Sequence, residues 1–257
     1  MLFSNALGVL VGMVCAITVD AERSKYVLDK GKEGEDKKNS RPQSIIGGDE
    51  IEPHSRPYLV SVGMGPSGYY GQFCGGSLIS PHAVLISARC TFGLFWTTPT
   101  WAPPEWVEFN RHDLFNDTDV TRVYINDRSQ CDGDIIYHPE YNPNNFDNDA
   151  AILFLPTAID DIAPVTLNTD PNLLATGDPL DMVGWGLTES WFPTVPFAVT
   201  LNYLSNEGCT KKPYRYKDDE ITDSMMCASA EGKGICSADL GECNEPPFLT
   251  IEFVTLL

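Results

Sequence analysis

Short apolar runs separated by turn residues recur along most of the chain. Pro57 to Val62, Phe73 to Ile79 and Ala83 to Ala88 are followed by an alternating stretch, Val120 to Ile125. Further runs are Ala150 to Leu155, Pro179 to Gly186, Ala198 to Leu204 and Met225 to Ala228. Gly, Pro, Asn and Asp cluster between them. Runs this short, with period two or continuously apolar and with turn signals between them, predict strands, so the chain reads as all-β. Cys74 and Cys90 bracket two such runs joined by a Ser80-Pro81 turn, which predicts a β-hairpin closed by a disulfide.

The N-terminal region departs from this pattern. Leu7 to Ala16 is apolar but too short to span a bilayer. Small residues at Val14-Cys15-Ala16 and Val19-Asp20-Ala21 suit signal cleavage, so residues 1–21 are read as a signal peptide and the protein as secreted. Residues 22–44 carry seven Lys/Arg and five Asp/Glu with few large apolar groups, and are read as a disordered pro-segment. The whole chain has a net charge of −19. The body from Ile45 onward is strongly acidic, which argues against nucleic acid or anionic membrane as a partner, because both call for clustered cations.

The hairpin carries the first specific motif. Phe73-Cys74-Gly75-Gly76-Ser77-Leu78 leads through the apolar strand to Ser87-Ala88-Arg89-Cys90. Ile45-Ile46-Gly47-Gly48 stands upstream. Downstream, Asn148-Asp149-Ala150-Ala151-Ile152-Leu153 precedes an apolar strand, Gly184-Trp185-Gly186 ends another, and Cys236 to Gly241 follows. In this order the chain resembles the trypsin/chymotrypsin family of serine proteases (peptidase S1), from Ile45 to about Gly241. The resemblance implies two packed six-stranded antiparallel β-barrels and a domain over residues 45–257. The family continues beyond Pro246-Pro247 for two more strands and a helix, so the second barrel is expected to be shortened at its C-terminal end. It also implies disulfides Cys74–Cys90 and Cys209–Cys227. Cys131, Cys236 and Cys243 are then an odd set, of which at least one is expected to be a free or intermolecular thiol.

What the resemblance implies about chemistry depends on single positions. Asp149 matches the triad aspartate. Arg89 stands where the family has its histidine base, and Leu240 where it has its nucleophilic serine. A guanidinium stays protonated and has no acceptor, and leucine has no nucleophilic atom, so neither takes the family's role in proton transfer and attack. Ile45 matches the residue whose freed amino group inserts beside a buried aspartate, the role matched by Asp239. Ser44 precedes Ile45, and Arg41 is followed by Pro42, so activation by the usual cut after a basic residue is not expected. Gly234 lies at the floor of the specificity pocket, leaving no acidic group there to select Arg or Lys.

The expected protein is therefore an inactive serine protease homologue that acts by binding extracellular proteins: a decoy for inhibitors or substrates, or a cofactor in a protease cascade. No cofactor and no metal are expected. Two alternatives stay open: a serine-type endopeptidase, should the sequence be faulty near Arg89 and after Cys236, and a truncated product without a stable fold. Family members sometimes bind calcium at the segment matching Asn110 to Asp119. Here Asp113, Asn116, Asp117 and Asp119 lack the spacing of an EF-hand and read as a solvated acidic turn. Asn116-Asp117-Thr118 is a glycosylation sequon. The aromatic, Pro-rich stretch 91–106 either folds back on the first barrel or presents a binding surface.

Overall fold

The computed structural model describes residues 47–91, 103–125, 134–170, 172–186, 193–211, 216 and 221–230. Among the described residues, eleven strands lie in chain order: β1 (Asp49–Glu50), β2 (Leu59–Gly63), β3 (Gln72–Ser80), β4 (Ala83–Ile86), β5 (Trp106–Phe109), β6 (Thr121–Tyr124), β7 (Ile135–Tyr137), β8 (Ala151–Phe154), β9 (Pro179–Gly184), β10 (Phe197–Leu204) and β11 (Cys227–Ser229). A short helix, α1 (Asn206–Thr210), precedes β11. The described residues are mostly β, in two sheets, each around its own core.

The first sheet has seven strands in the order β6-β5-β2-β3-β4-β8-β7. This is one more than the six of the barrel expectation, because Ile135–Tyr137 pairs antiparallel along the outer edge of β8. Its core is the inward set from all these strands, with Val60, Val62, Leu78, Val84, Ile86, Phe109 and Leu153 buried together. Alternate residues of a strand point to opposite faces, which is why the short apolar runs become one wall of this core. Gly63 is required where β2 passes Trp106, since a Cβ there would overlap the indole ring.

The second sheet has four strands among the described residues. β10 pairs with β9 along one edge and with β1 and then β11 along the other. Leu180, Met182, Val199, Leu201 and Met226 form its core. The Ser205 hydroxyl caps α1 by accepting from Gly208 N–H at 3.2 Å. Because β1 belongs to the second sheet and β2 to the first, residues 51–58 tie the two together.

Disulfides join Cys74 to Cys90 and Cys209 to Cys227, with Cα atoms 6.2 and 6.4 Å apart. Each closes a short loop, which in the chain-entropy view stabilises by about 3 kcal/mol. Residues 1–21, read above as a signal peptide, residues 22–44, read as a pro-segment, and Ile45, Cys131, Gly234, Cys236, Asp239, Leu240 and Cys243 lie outside the described residues. So does most of the aromatic stretch, of which residues 103–106 are described together with Thr91.

Candidate active site

Sheet register brings Arg89 to Asp149. Ile86, the last residue of β4, pairs with Ala151, the first of β8. The chain leaving β4 and the chain entering β8 therefore lie side by side, although Arg89 and Asp149 are 60 positions apart. After β4 the backbone tightens into a 3-10 turn, Ala88–Thr91. The Thr91 hydroxyl donates to Ala88 O at 2.7 Å, and Cys90 is held to β3 by its disulfide. The turn is thus fixed at both ends, and it directs Arg89 at the carboxylate.

Asp149 is fully buried in its side chain. Its Oδ1 accepts the backbone N–H of Arg89 at 2.8 Å, and its Oδ2 accepts Nε of the same residue at 2.5 Å. The guanidinium carbon lies 4.6 Å from the centre of the Phe146 ring, a cation–π contact. Nearby, the Tyr141 phenol is pushed well above its ordinary pKa, first by burial and then by the Asp149 carboxylate. Phe146 and Asn148 have φ of 57° and 55°, a region where non-glycine residues are strained.

Hydrogen bonds hold that backbone in place. Asn148 N–H donates to the Ser224 hydroxyl at 2.9 Å, and the Asn148 amide nitrogen donates to Glu140 O at 3.2 Å. Asp147 Oδ1 accepts the hydroxyls of Thr222 at 2.6 Å and Ser224 at 2.5 Å. These bonds clamp the 146–149 loop to residues 222–224, which lead into β11 of the second sheet.

Burial pushes the Asp147 pKa up, but the Ser224 and Thr222 hydroxyls, Asn148 N–H and nearby His138 outweigh it, so the carboxyl sits below its ordinary value. A depressed folded-state pKa means that the clamp contributes above the unfolded value and is lost as pH falls through the folded one. Asp147→Asn is therefore expected to destabilise the protein at neutral pH by an amount that shrinks only below the ordinary carboxylate range, under about pH 4. Thermal melts of both proteins across pH check this. A stability gap that stays constant throughout acidification would count against the clamp.

The chain has four histidines, and all of them are described. His54 lies in the exposed loop after β1. His82 Nδ1 is 3.3 Å from Leu155 O, and His112 Nε2 is 3.0 Å from Glu50 Oε1. His138 Nδ1 accepts Glu140 N–H at 3.2 Å. None hydrogen-bonds Asp149.

The segment 110–119 exposes Asn116, Asp117 and Asp119, as the acidic-turn reading has it, and Arg111 folds into it from the buried side. Arg111 Nη1 donates to Asn116 O at 2.7 Å and reaches Asp113 O at 3.4 Å, while Nη2 meets Asp117 at 2.7 Å. The turn's oxygens thus surround a guanidinium. Arg111 Nε donates to Glu108 Oε2 at 2.9 Å, and Arg122 Nη2 lies 2.6 Å from Glu108 Oε1. Asn116 is exposed in this turn, with Oδ1 accepting Thr118 N–H at 3.0 Å.

With this geometry in view, the comparisons agree on the class. The model of the family described as Trypsin matches residues 45–242. Serine protease 28 of Mus musculus is 27% identical over 79% of this chain and 74% of its own length. Granzyme M of Homo sapiens is 30% identical over 77% of this chain and 71% of its own. The solved structure of the Vibrio cholerae VesB protease superposes with a TM-score of 0.55 at 27% identity, covering 72% of this chain. This chain spans about half, 52%, of the VesB chain. The chain belongs to the trypsin family of serine proteases.

Proposed function

We propose that this chain is a secreted, catalytically silent member of the trypsin family that works by binding extracellular proteins, as a decoy for inhibitors or substrates or as a cofactor in a protease cascade. The observation that carries this reading is the Arg89–Asp149 pair. The carboxylate that in the family orients a histidine here accepts from an arginine on both oxygens. Acyl transfer needs a base that takes the nucleophile's proton, and a guanidinium has no site to receive one. Asp149 has no hydrogen bond from any of the chain's four histidines, and Leu240 stands at the family's serine position.

Secretion is part of the same proposal. It draws on the signal-like Leu7 to Ala16 run and on two disulfides, which persist in oxidising compartments. We assign residues 22–44 as a pro-segment and 45–257 as the protease-like domain. Asn116, exposed in its turn, is the glycan acceptor of this reading.

The test is active-site titration of the purified protein with a fluorophosphonate probe, before and after limited trypsin treatment. No covalent label and no burst are expected. Stoichiometric labelling of any serine would return the chain to the proteolytic reading.

A further inference from the structure

A fully enclosed guanidinium stands where the 110–119 turn gathers its oxygens. Four oxygens from four residues converge on Arg111. Nη1 donates to Asn116 O at 2.7 Å and reaches Asp113 O at 3.4 Å. Nη2 meets Asp117 Oδ1 at 2.7 Å, and Nε donates to Glu108 Oε2 at 2.9 Å. Two of these oxygens are backbone carbonyls and two belong to carboxylates. Mixed carbonyl and carboxylate oxygens are also the donor set of a hard cation such as calcium, which draws them in to about 2.3–2.6 Å.

Here the cage is already filled and its charge already answered. Glu108 and Asp117 supply two negative charges. Arg111 supplies one positive charge, and Arg122, 2.6 Å from the other oxygen of Glu108, supplies the second. The hydrogen bond from Arg111 also holds the Asp117 carboxyl below its ordinary pKa, although that side chain is 66% exposed. Other oxygens of the turn are spent on its own backbone: Asp113 Oδ1 accepts Phe115 N–H, and Asn116 Oδ1 accepts Thr118 N–H, both at 3.0 Å. An entering calcium ion would have to expel a buried arginine and would then lie beside the charge of Arg122. Leaving a buried charge without its partners is costly, so the arginine resists that exchange.

We infer that Arg111 is the built-in cation of this turn: it takes the place of a calcium ion, so the chain holds the turn without calcium, and removing the guanidinium turns the vacated oxygens into a calcium site. The calcium found in some family members therefore does not fit this segment as it stands. A second loop shares the consequence. Leu114 O accepts Tyr69 N–H at 3.0 Å, and Gly68, at φ +64°, passes so close to that oxygen that a side chain would clash. Phe115 stacks on Tyr69 with centroids 4.6 Å apart. The conformation of both loops, and of the exposed rings of Tyr70 and Phe115, is thus set by the sequence and not by the calcium level around the protein. This inference holds whether or not the chain cleaves peptides.

The test melts the full chain, Arg111→Glu and Arg111→Gln in EDTA, in magnesium and in calcium, each ion at about ten times a millimolar dissociation constant. Amide hydrogen exchange over residues 113–119 locates any effect. The magnesium arm accounts for general screening of an acidic protein. The parent is expected to melt within about 1 °C in the two ions, with no calcium-specific slowing of exchange at 113–119. Arg111→Glu, which gives the cage a third carboxylate, should melt below the parent in EDTA. Calcium should raise it by about 3–6 °C over magnesium and slow exchange in the turn. Arg111→Gln should gain less, since it adds no charge to the cage. A variant recovered folded only from calcium-containing buffer counts as stabilised by calcium. Calcium-specific stabilisation of the parent would overturn the inference, and so would calcium stabilising neither variant or acting outside residues 113–119.

Discussion

Replacing Arg89 by alanine is expected to destabilise the protein by about 3–5 kcal/mol, because it strands a buried carboxylate. Asp149 is wholly enclosed, and among the described residues its two oxygens accept from the backbone N–H and Nε of Arg89. The substitution leaves the backbone donor and removes the charge. The Arg89 side chain is 16% exposed, so water partly replaces the guanidinium and the loss should fall toward the lower end. For a domain of this size each kcal/mol moves the melting temperature by roughly 2–4 °C, so the variant should melt about 6–15 °C lower. Arg89→Lys keeps the charge without Nε and should lie between. In the double variant Arg89→Ala/Asp149→Ala the carboxylate is gone too, and the combined loss should be smaller than the sum of the single ones. A single alanine variant within about 1 kcal/mol of the parent would mean that Asp149 needs no cation.

How far this pair was legible in the sequence is instructive. Most strands of both sheets follow from local pattern, since a short buried run leaves its mark within a few positions, whereas Asp49–Glu50, Trp106–Phe109 and Ile135–Tyr137 are not among the runs it picks out. Arg89 and Asp149 leave no such mark. They are 60 residues apart, and only the order of motifs shared with a family put them together; the pairing of Ile86 with Ala151 supplies the physical reason. The loop around Phe146 was illegible for another reason. Its left-handed backbone is imposed by Ser224 and by the Asn142–Asp147 bridge, contacts made only after folding.

Charge showed only the outer side of the 110–119 turn. A stretch holding Asp113, Asp117 and Asp119 suggests solvent, yet Arg111 is fully buried in its side chain at the heart of that turn. One signal did exist. Glu108 stands within Trp106-Val107-Glu108-Phe109, a strand buried at every position, and an acid in such a place demands a cation. Arg111 and Arg122 lie three and fourteen residues on, the second directly opposite Glu108 in the register of β5 and β6. Tyr69, Tyr70 and Phe115 carried no comparable signal, because isolated aromatics beside turn residues look like core or accident until two loops are seen to meet.

The Glu108 site supports the second large prediction. Its carboxylate is fully buried and accepts from Arg111 at 2.9 Å on one oxygen and from Arg122 at 2.6 and 2.8 Å on the other. Glu108→Ala would leave the buried Arg111 guanidinium with Asp117 as its one carboxylate partner among the described residues, and Asp117 is itself 66% exposed. Breaking a buried pair from one side costs about 3–5 kcal/mol, and Glu108→Gln should recover only part of this because the amide keeps the shape but not the charge. Added salt should hardly narrow the gap, since buried charges are poorly screened. The damage should also be local in a way that the Arg89 variant's is not. Arg111 holds Asn116 O, so amide hydrogen exchange in residues 113–119 should accelerate in Glu108→Ala while protection around Ala151–Phe154 is less affected. A Glu108→Ala protein that melts with the parent, or whose 113–119 amides exchange no faster, would show that the turn stands without its guanidinium anchor.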